Sequence, residues 1–124
     1  IELIDTRIKD WKIGLCDTIA DNASSAGFVL GSQRVSPKDI DICAIDAVLT
    51  CNGEVVAEGR SDAVLGNPVT AVAWLARKVD SFGVRLRAGD IVLPGSCTRA
   101  IDVHPGDDFV ADFAGLGSVR LAFE

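Results

Sequence analysis

The fold of this chain is decided by residues 42–58, which read ICAIDAVLTCNGEVVAE. Two strand-like runs, residues 42–50 and 54–58, stand on either side of Asn52-Gly53. Asparagine followed by glycine tolerates a positive φ at both central positions of a type I′ turn, whose twist matches that of the flanking strands. The pattern therefore predicts a two-stranded antiparallel hairpin in the middle of the chain.

Helical and strand-like patterns surround this hairpin. Residues 11–20 place apolar side chains at helical spacing, and residues 67–82 form a second helical pattern. The second helix opens with Asn67-Pro68 and is followed by Gly83, because proline suits a first helical turn and glycine suits a helix end. The remaining strand patterns are residues 1–4, 28–30, 91–93, 100–103, 108–113 and 118–123, and the run 28–30 is expected to be buried. Many short strands with two helices predict an α+β fold with a mixed or antiparallel sheet.

Size and charge restrict the classes of function. The chain has 124 residues, of which 48% are hydrophobic, enough to predict one globular unit with a substantial apolar core. The formal net charge is -6 and no segment concentrates lysine and arginine, so nucleic acid is not an expected partner. The longest apolar runs, such as residues 71–76, are far shorter than the roughly 20 residues that span a bilayer. No membrane partner is expected, and the cytoplasm is the predicted location.

The four cysteines and the single histidine do not form a recognisable metal motif. Cys16, Cys43, Cys51 and Cys97 contain no C-x-x-C pair, and we expect all four to be reduced core residues. A disulfide or a reactive thiol is the alternative. His104 lies in a predicted surface turn with no nucleophile or metal partner at a suggestive spacing, so we expect a solvated turn residue rather than a catalytic one.

Three places carry side chains suited to a binding site. Glu2, with Asp5 close behind it, stands at a predicted strand end, where carboxylate oxygens suit a hard cation such as Mg²⁺; a solvated pair of acids is the alternative. Residues 21–25 offer amide and hydroxyl groups to a small anionic or oxo-bearing substrate. The alternative is an ordinary helix stop, with Ser24 as a surface hydroxyl. Residues 95–98 combine a glycine with hydroxyl groups, which suits either a ligand approaching backbone N–H groups or a tight turn between strands.

Several segments together resemble the landmarks of one enzyme family. In chain order they are residues 2–7 (ELIDTR), 17–25 (DTIADNASS), 65–68 (LGNP) with 73–76 (AWLA), 88–96 (AGDIVLPGS) and 115–119 (GLGSV). This series resembles the branch of the fumarylacetoacetase-like superfamily that contains 2-hydroxypenta-2,4-dienoate hydratases and 4-oxalocrotonate decarboxylases. The resemblance covers essentially the whole chain, and an ordered series of landmarks is more specific than any one of them.

The resemblance implies how the chain is organised. Residues 1–124 would be the C-terminal part of a catalytic domain, whose fold in this family is a mixed β-roll or sandwich with flanking helices. That fold would be incomplete here. The chain opens on a strand-like run without methionine, and we therefore expect further residues before Ile1.

The resemblance also implies a set of site residues. In the family a Glu-x-Glu pair and a third glutamate hold Mg²⁺ or Mn²⁺, and Glu2 matches the third glutamate, with Thr6 replacing the usual serine nearby. The pair and the acid-base lysine and aspartate are expected upstream, so the chain alone is expected to be inactive. Ser24 would be the catalytic residue, and Asn22, Ser24 and Ser96 would bind the substrate.

The implied activity is hydration of 2-hydroxypenta-2,4-dienoate to 4-hydroxy-2-oxopentanoate in meta-cleavage catabolism of aromatic or steroid rings. A small 2-oxo or 2-hydroxy dienoate is the implied substrate. A homo-oligomer is implied as the assembly, with a complex with a downstream aldolase or the related decarboxylase as a further implied association. The alternative within the family is 4-oxalocrotonate decarboxylase, although Thr98-Arg99 favours the hydratase by resemblance. The alternative of another class is a non-catalytic half-fold that serves as an interaction module.

Overall fold

The structure is a computed structural model that describes residues 1–124, and its strands form two antiparallel sheets. The smaller sheet pairs β1 (Glu2–Ile4) with β2 (Ser25–Phe28). The larger sheet has the strand order β4-β3-β5-β6, and its strands are β3 (Asp46–Cys51), β4 (Glu54–Arg60), β5 (Asp108–Phe113) and β6 (Gly117–Ala122). The two α-helices are α1 (Leu15–Ala20) and α2 (Pro68–Asp80). The predicted α+β class is confirmed.

The central hairpin is formed by β3 and β4, as predicted. Asn52 and Gly53 have φ values of 53° and 86°, the positive angles that a type I′ turn requires at both positions. β3 begins at Asp46 rather than at residue 42, because the Asp41 carboxylate accepts the backbone N–H of Cys43 at 3.0 Å and folds this stretch into a turn. The turn residues set the pairing next to the turn, and a bulge between Leu49 and Thr50 shifts the register of the rest of the hairpin.

A second hairpin, β5 and β6, completes the larger sheet and supplies two of the four buried apolar residues. Ala47, Phe109 and Ala111 are buried on one face of the sheet. The Phe109 ring packs edge to face against Phe123, with 5.9 Å between the ring centroids. We call this surface the inner face of the larger sheet, and it is the surface that matters for the site.

The prediction of a substantial apolar core is wrong for this chain. Only four apolar residues are buried, while Leu15 and Trp74 expose 78% and 58% of their surface. The inner face of the larger sheet is covered in part by the two-stranded sheet, by an irregular segment, residues 93–103, and by Gly31, which lies close to Val119. A sheet buries its apolar face only where a second layer packs on it, so most apolar side chains of this chain stay uncovered.

Helix α2 forms as predicted, although it ends at Asp80 rather than near residue 82. The Asn67 side chain accepts the Val69 N–H at 2.9 Å, and Pro68 occupies the first turn. Gly83 follows the helix with a φ of 77°, a left-handed angle that favours glycine. Neither α-helix combines the length and the apolar character needed to cross a bilayer.

Helix α1 is shorter than predicted, because it begins at Leu15 instead of residue 11. Asp10 and Trp11 have φ values of 57° and 53°, which are incompatible with a right-handed helix and leave only a 3-10 turn there. The helix then starts after Gly14, whose N–H donates to the Asp17 carboxylate at 2.9 Å. The predicted apolar face is largely exposed to solvent.

Three predicted strands are wrong. Residues 28–30 are not a buried strand: β2 ends at Phe28, and Phe28 and Leu30 are half-exposed. Residues 91–93 and 100–103 have the composition of strands but pair with no neighbour. A strand requires a complementary backbone ladder, so apolar composition alone does not create one.

Candidate active site

A cavity of about 930 Å³ lies between the two sheets. Its walls are β1 and the residues after β2, the inner face of the larger sheet, and the irregular segment 93–103. Most of the lining side chains are apolar. The charged side chains that line it are those of Glu2, Asp5, Arg99 and Asp102. An apolar cleft with a few charged groups is the usual form of a small-molecule site.

The side chains of this chain provide part of a metal site. Glu2, on β1, is half-buried at the cavity, and Asp5 lines the same cavity just beyond the strand. Carboxylate oxygens are the hard donors that Mg²⁺ prefers. No group of three or more histidine, cysteine, aspartate or glutamate side chains lies close enough together to hold a metal ion. The donors are therefore of the right chemical kind but too few to hold a cation without ligands from outside the chain.

A buried carboxylate holds the end of β1 in place. Asp21, whose side chain is only 3% exposed, accepts the Thr6 hydroxyl at 2.7 Å and the Ser24 hydroxyl at 3.2 Å. The Arg7 guanidinium lies 3.2 Å from the same carboxylate, and the Arg7 N–H donates to it at 3.3 Å. The Asp5 N–H donates to the Ser24 carbonyl at 2.9 Å. These contacts fix the exit of β1 and hence the strand that carries Glu2.

The same contacts change the acidity of Asp21. Hydrogen bonding from the Thr6 hydroxyl lowers the pKa of the Asp21 carboxyl below its ordinary value, and further donation from Arg7 and Ser24 lowers it too, against the opposing effect of burial. Asp21 is therefore ionised at neutral pH. A buried carboxylate with this many donors has a structural role in holding the turn.

Ser24 and Asn22 lie in the 3-10 turn between α1 and β2, and neither lines the cavity. Ser24 is not the surface hydroxyl that a simple helix stop would present, since it is 5% exposed and bound to Asp21. Asn22, Ala23 and Ser24 all have positive φ, which is uncommon in consecutive residues other than glycine. The turn is thus held in a strained form by the hydrogen bonds around Asp21.

Ser96 lines the cavity together with Glu2. Its hydroxyl donates to the Thr98 carbonyl at 2.8 Å and accepts the Thr98 N–H at 3.1 Å. These bonds shape the loop and leave the Ser96 hydroxyl without a further proton to donate. The structure therefore brings Glu2 and Ser96 to one cavity and places Asn22 and Ser24 outside its lining.

Sequence reasoning gave no role to Asp21, and it did not connect Asp102 with the cavity. Asp21 forms an Asp-x-x-Ser pattern with Ser24, which is a local signal of a carboxylate that accepts hydrogen bonds from a turn. Its contacts with Thr6 and Arg7 have no sequence signal.

His104 lies in the predicted turn, where its side chain is 76% exposed and its backbone N–H donates to Asp107 at 2.8 Å. It does not line the cavity.

One known protein family matches almost the whole chain. The family described as fumarylacetoacetate (FAA) hydrolase C-terminal matches residues 5–123. The match includes the turn around Asp21, the central hairpin and the second hairpin of the larger sheet.

Curated relatives agree with this family. A 2-keto-4-pentenoate hydratase from Paraburkholderia phymatum is 50% identical over 99% of this chain, and a 2-hydroxyhexa-2,4-dienoate hydratase from Comamonas testosteroni is 39% identical over 98% of it. A 4-oxalocrotonate decarboxylase from Pseudomonas putida is 38% identical over 99% of the chain. These alignments cover 47%, 46% and 47% of the relatives, so the chain spans about half the length of the proteins it matches.

Solved structures give the same result. The 4-oxalocrotonate decarboxylase from Pseudomonas putida G7, complexed with magnesium and adipate, superposes with a TM-score of 0.93 at 38% identity, covering 99% of this chain and 47% of that one. The same enzyme complexed with calcium and acetate gives a TM-score of 0.90 and covers 99% of this chain and 46% of that one. The backbone of this chain, including its irregular segments, therefore closely follows that of the corresponding part of this enzyme.

Proposed function

This chain belongs to the fumarylacetoacetate hydrolase family, and on that premise we propose that it is the C-terminal part of a metal-dependent hydratase. The reaction proposed is addition of water to 2-hydroxypenta-2,4-dienoate to give 4-hydroxy-2-oxopentanoate. The observation that carries the proposal is the 50% identity with a 2-keto-4-pentenoate hydratase over 99% of the chain, against 38% with a decarboxylase. Since the chain spans less than half of these relatives, the rest of the site would come from residues beyond it.

Glu2 is the residue proposed to hold the cation, with Asp5 beside it at the cavity. When bound, a divalent cation supplies Lewis acidity that stabilises the negative charge developing on a 2-oxo acid. The other ligands are proposed to come from the upstream Glu-x-Glu pair, because this chain brings no third ligand to Glu2 and Asp5. One relative, solved with magnesium and separately with calcium, supports an oxygen-donor site for a divalent cation.

The cavity walls would handle the rest of the substrate. The apolar lining from the inner face of the larger sheet suits the hydrocarbon part of a dienoate. Ser96 would help to orient the substrate from the irregular segment that lines the cavity. The lone pairs that Ser96 keeps can accept a hydrogen bond, whereas its proton is engaged with Thr98.

Ser24 and Asn22 are proposed to orient the substrate or the attacking water. The Ser24 hydroxyl donates a hydrogen bond to Asp21, and its oxygen retains lone pairs that can accept a hydrogen bond from a water molecule. Through the Asp5 N–H bond to its carbonyl, Ser24 also touches the strand end that carries the cation site. The support for Ser24 as a catalytic residue is therefore the family resemblance together with this contact, because Ser24 itself is buried outside the cavity lining.

The test is a turnover assay with the full-length protein, loaded with Mg²⁺. We expect consumption of 2-hydroxypenta-2,4-dienoate with formation of 4-hydroxy-2-oxopentanoate, loss of activity on chelation, and recovery on adding Mg²⁺ back. Mn²⁺ is expected to replace Mg²⁺ in the same assay. A chelated enzyme with undiminished turnover would contradict the metal-dependent mechanism.

The second candidate is 4-oxalocrotonate decarboxylase, favoured by the TM-score of 0.93 with that enzyme. Both reactions begin from a 2-oxo acid or its enol, so the products distinguish them. Release of CO₂ from 4-oxalocrotonate, without hydration of the pentadienoate, would select the decarboxylase. Absence of both activities in the full-length protein would select the non-catalytic interaction module.

Assembly and location are part of the same proposal. We propose a homo-oligomer in the cytoplasm, associated with a downstream aldolase or the related decarboxylase. The uncovered apolar side chains of α1 and α2 support association with other protein surfaces, since such side chains are usually buried. Light scattering of the full-length protein, alone and mixed with a purified aldolase, would test both associations.

A further inference from the structure

Gly59, in β4, is the point where a second stretch of backbone comes closest to the larger sheet. A methyl group added at Gly59 would lie 2.0 Å from the carbonyl oxygen of Cys97 and 2.7 Å from its carbonyl carbon. Gly59 does not have a positive φ, so its backbone conformation would accept alanine. A glycine inside a strand commonly marks such an approach of another backbone, and here the approach alone excludes a side chain.

Cys97 belongs to residues 94–99, which we call the wall loop because all of them line the cavity. Beyond this close approach, the wall loop is bonded to the same strand by a hydrogen bond of 3.0 Å from Nη2 of Arg99 to the carbonyl of Val56. Inside the loop, the two bonds between Ser96 and Thr98 hold its turn together. The wall loop is thus stabilised by its own hydrogen bonds and contacts β4 at two residues, Gly59 and Val56.

The position of this loop affects the width of the cavity. Gly59 pairs with Ala47 across β3 and β4, so both residues face the same side of the sheet. Ala47 is buried and lines the cavity. The wall loop therefore lies over the inner face at Gly59, and its distance from that face sets how much room remains beside Ala47.

We infer that Gly59 determines specificity by seating the wall loop on β4, and so limits the length of dienoate that the cavity accepts. This inference rests on the proposed function. Carbon and oxygen atoms in weak contact lie about 3.3 Å apart. The Cys97 carbonyl would therefore have to retreat by more than about 1 Å in a Gly59→Ala variant, which moves the wall loop away from the sheet.

The first experiment compares substrates that differ by one carbon. With the full-length enzyme, kcat/KM is measured for 2-hydroxypenta-2,4-dienoate and 2-hydroxyhexa-2,4-dienoate. Gly59→Ala should raise the ratio of the six-carbon to the five-carbon value by about tenfold, the lower end of what one methylene changes in an apolar pocket. Gly27→Ala is the matched control, because Gly27 is also a strand glycine without positive φ but has no atom within 4 Å of an added methyl group. Its ratio should not change.

The second experiment measures the loop itself. In a background where Cys16, Cys43 and Cys51 are serine, the rate of Cys97 alkylation should change severalfold with Gly59→Ala and stay constant with Gly27→Ala. An unchanged rate would show that Gly59 does not seat the loop, and a changed rate with an unchanged substrate ratio would show that the loop does not set specificity. Either result overturns the inference.

The inference can still be tested if Gly59→Ala does not fold or if the proposed function is wrong. If Gly59→Ala does not fold, Arg99→Met removes the bond to Val56 while keeping a long side chain, and an unchanged substrate ratio in that variant would overturn the inference. If the wild-type enzyme converts neither dienoate, the proposed function fails and with it the claim about substrate length. The alkylation rates would still decide whether Gly59 seats the wall loop.

Discussion

The hydroxyl group of Thr6 donates a hydrogen bond to the carboxylate of Asp21 across 2.7 Å, and this contact joins the end of β1 to the turn before β2. Arg7, the next residue, adds an ion pair to the same carboxylate. The two strands of the smaller sheet are thus held together by side chains as well as by their own ladder. Because Glu2 lies on β1, the Asp21 carboxylate acts on the proposed cation site through the backbone.

Asp21→Asn should lower the melting temperature of the full-length protein by several degrees at pH 7. An amide keeps the shape of the side chain but loses the charge that attracts Arg7, and it turns one acceptor into a donor facing other donors. Thermal unfolding followed by circular dichroism measures the effect. Asp39→Asn serves as a control because the exposed Asp39 carboxylate makes no hydrogen bond or ion pair within the chain, and an equal loss in both variants would contradict a special role for Asp21.

The destabilisation by Asp21→Asn should depend on pH. The pKa of Asp21 is lowered in the folded protein, whereas an unfolded aspartate titrates near its ordinary value of about 3.9. The stabilisation from the ionised group is therefore complete above that ordinary value and is lost as pH falls through the lowered folded-state pKa. The difference in melting temperature between wild type and variant should shrink below about pH 4. A constant difference down to strongly acidic pH would contradict this linkage.

Ser24→Ala should lower kcat/KM for the dienoate by roughly ten- to a hundredfold if Ser24 orients substrate or water, the scale of a lost hydrogen bond in the transition state. It should also reduce stability by about 1–3 kcal/mol, since it removes a buried donor to a charged acceptor. Steady-state kinetics and thermal unfolding separate the two effects.

Ser25→Ala is the matched control for Ser24→Ala, because the adjacent Ser25 hydroxyl makes no hydrogen bond within the chain and should change neither quantity. Reduced stability of Ser24→Ala with wild-type kinetics would leave Ser24 as a structural partner of Asp21 only.

Glu2→Gln should weaken Mg²⁺ binding by about tenfold or more, because an amide oxygen is a poorer ligand for a hard cation than a carboxylate. Isothermal titration of the full-length protein with Mg²⁺ measures this without reference to turnover. Asp5→Asn, measured in parallel, shows whether the second carboxylate at the cavity also binds. Unchanged Mg²⁺ affinity in Glu2→Gln would remove Glu2 from the proposed site.

All four cysteines should be free thiols with different reactivities. The structure contains no disulfide, and Cys16 is exposed whereas Cys43, Cys51 and Cys97 are half-buried. Burial raises the pKa of the Cys51 thiol, and the charge of nearby Asp107 raises it further. Alkylation monitored by mass spectrometry should modify Cys16 first and Cys51 last. Equal intact masses with and without reductant are expected, and a loss of hydrogens without reductant would reveal a bridge.

The elements predicted correctly are those whose determinants lie within a few residues. Asn52-Gly53 encodes its own turn, and Asn67-Pro68 encodes the start of α2 through one side-chain bond and one tolerated proline. The predicted strand at residues 91–93 failed for the opposite reason. Its apolar composition is local, but the ladder that would make it a strand depends on a neighbour that composition does not specify.

The same distinction between local and long-range determinants applies to the candidate site. By itself the sequence determined the α+β class, the central hairpin and, through ordered landmarks, the family, whereas the role of Glu2 stays a prediction. Only the tertiary structure decided that Asp21 holds Thr6, Arg7 and Ser24, and that the Cys97 carbonyl rests on Gly59. Those contacts join residues far apart in the chain, and their strength depends on distance and burial, which exist only after the chain has folded.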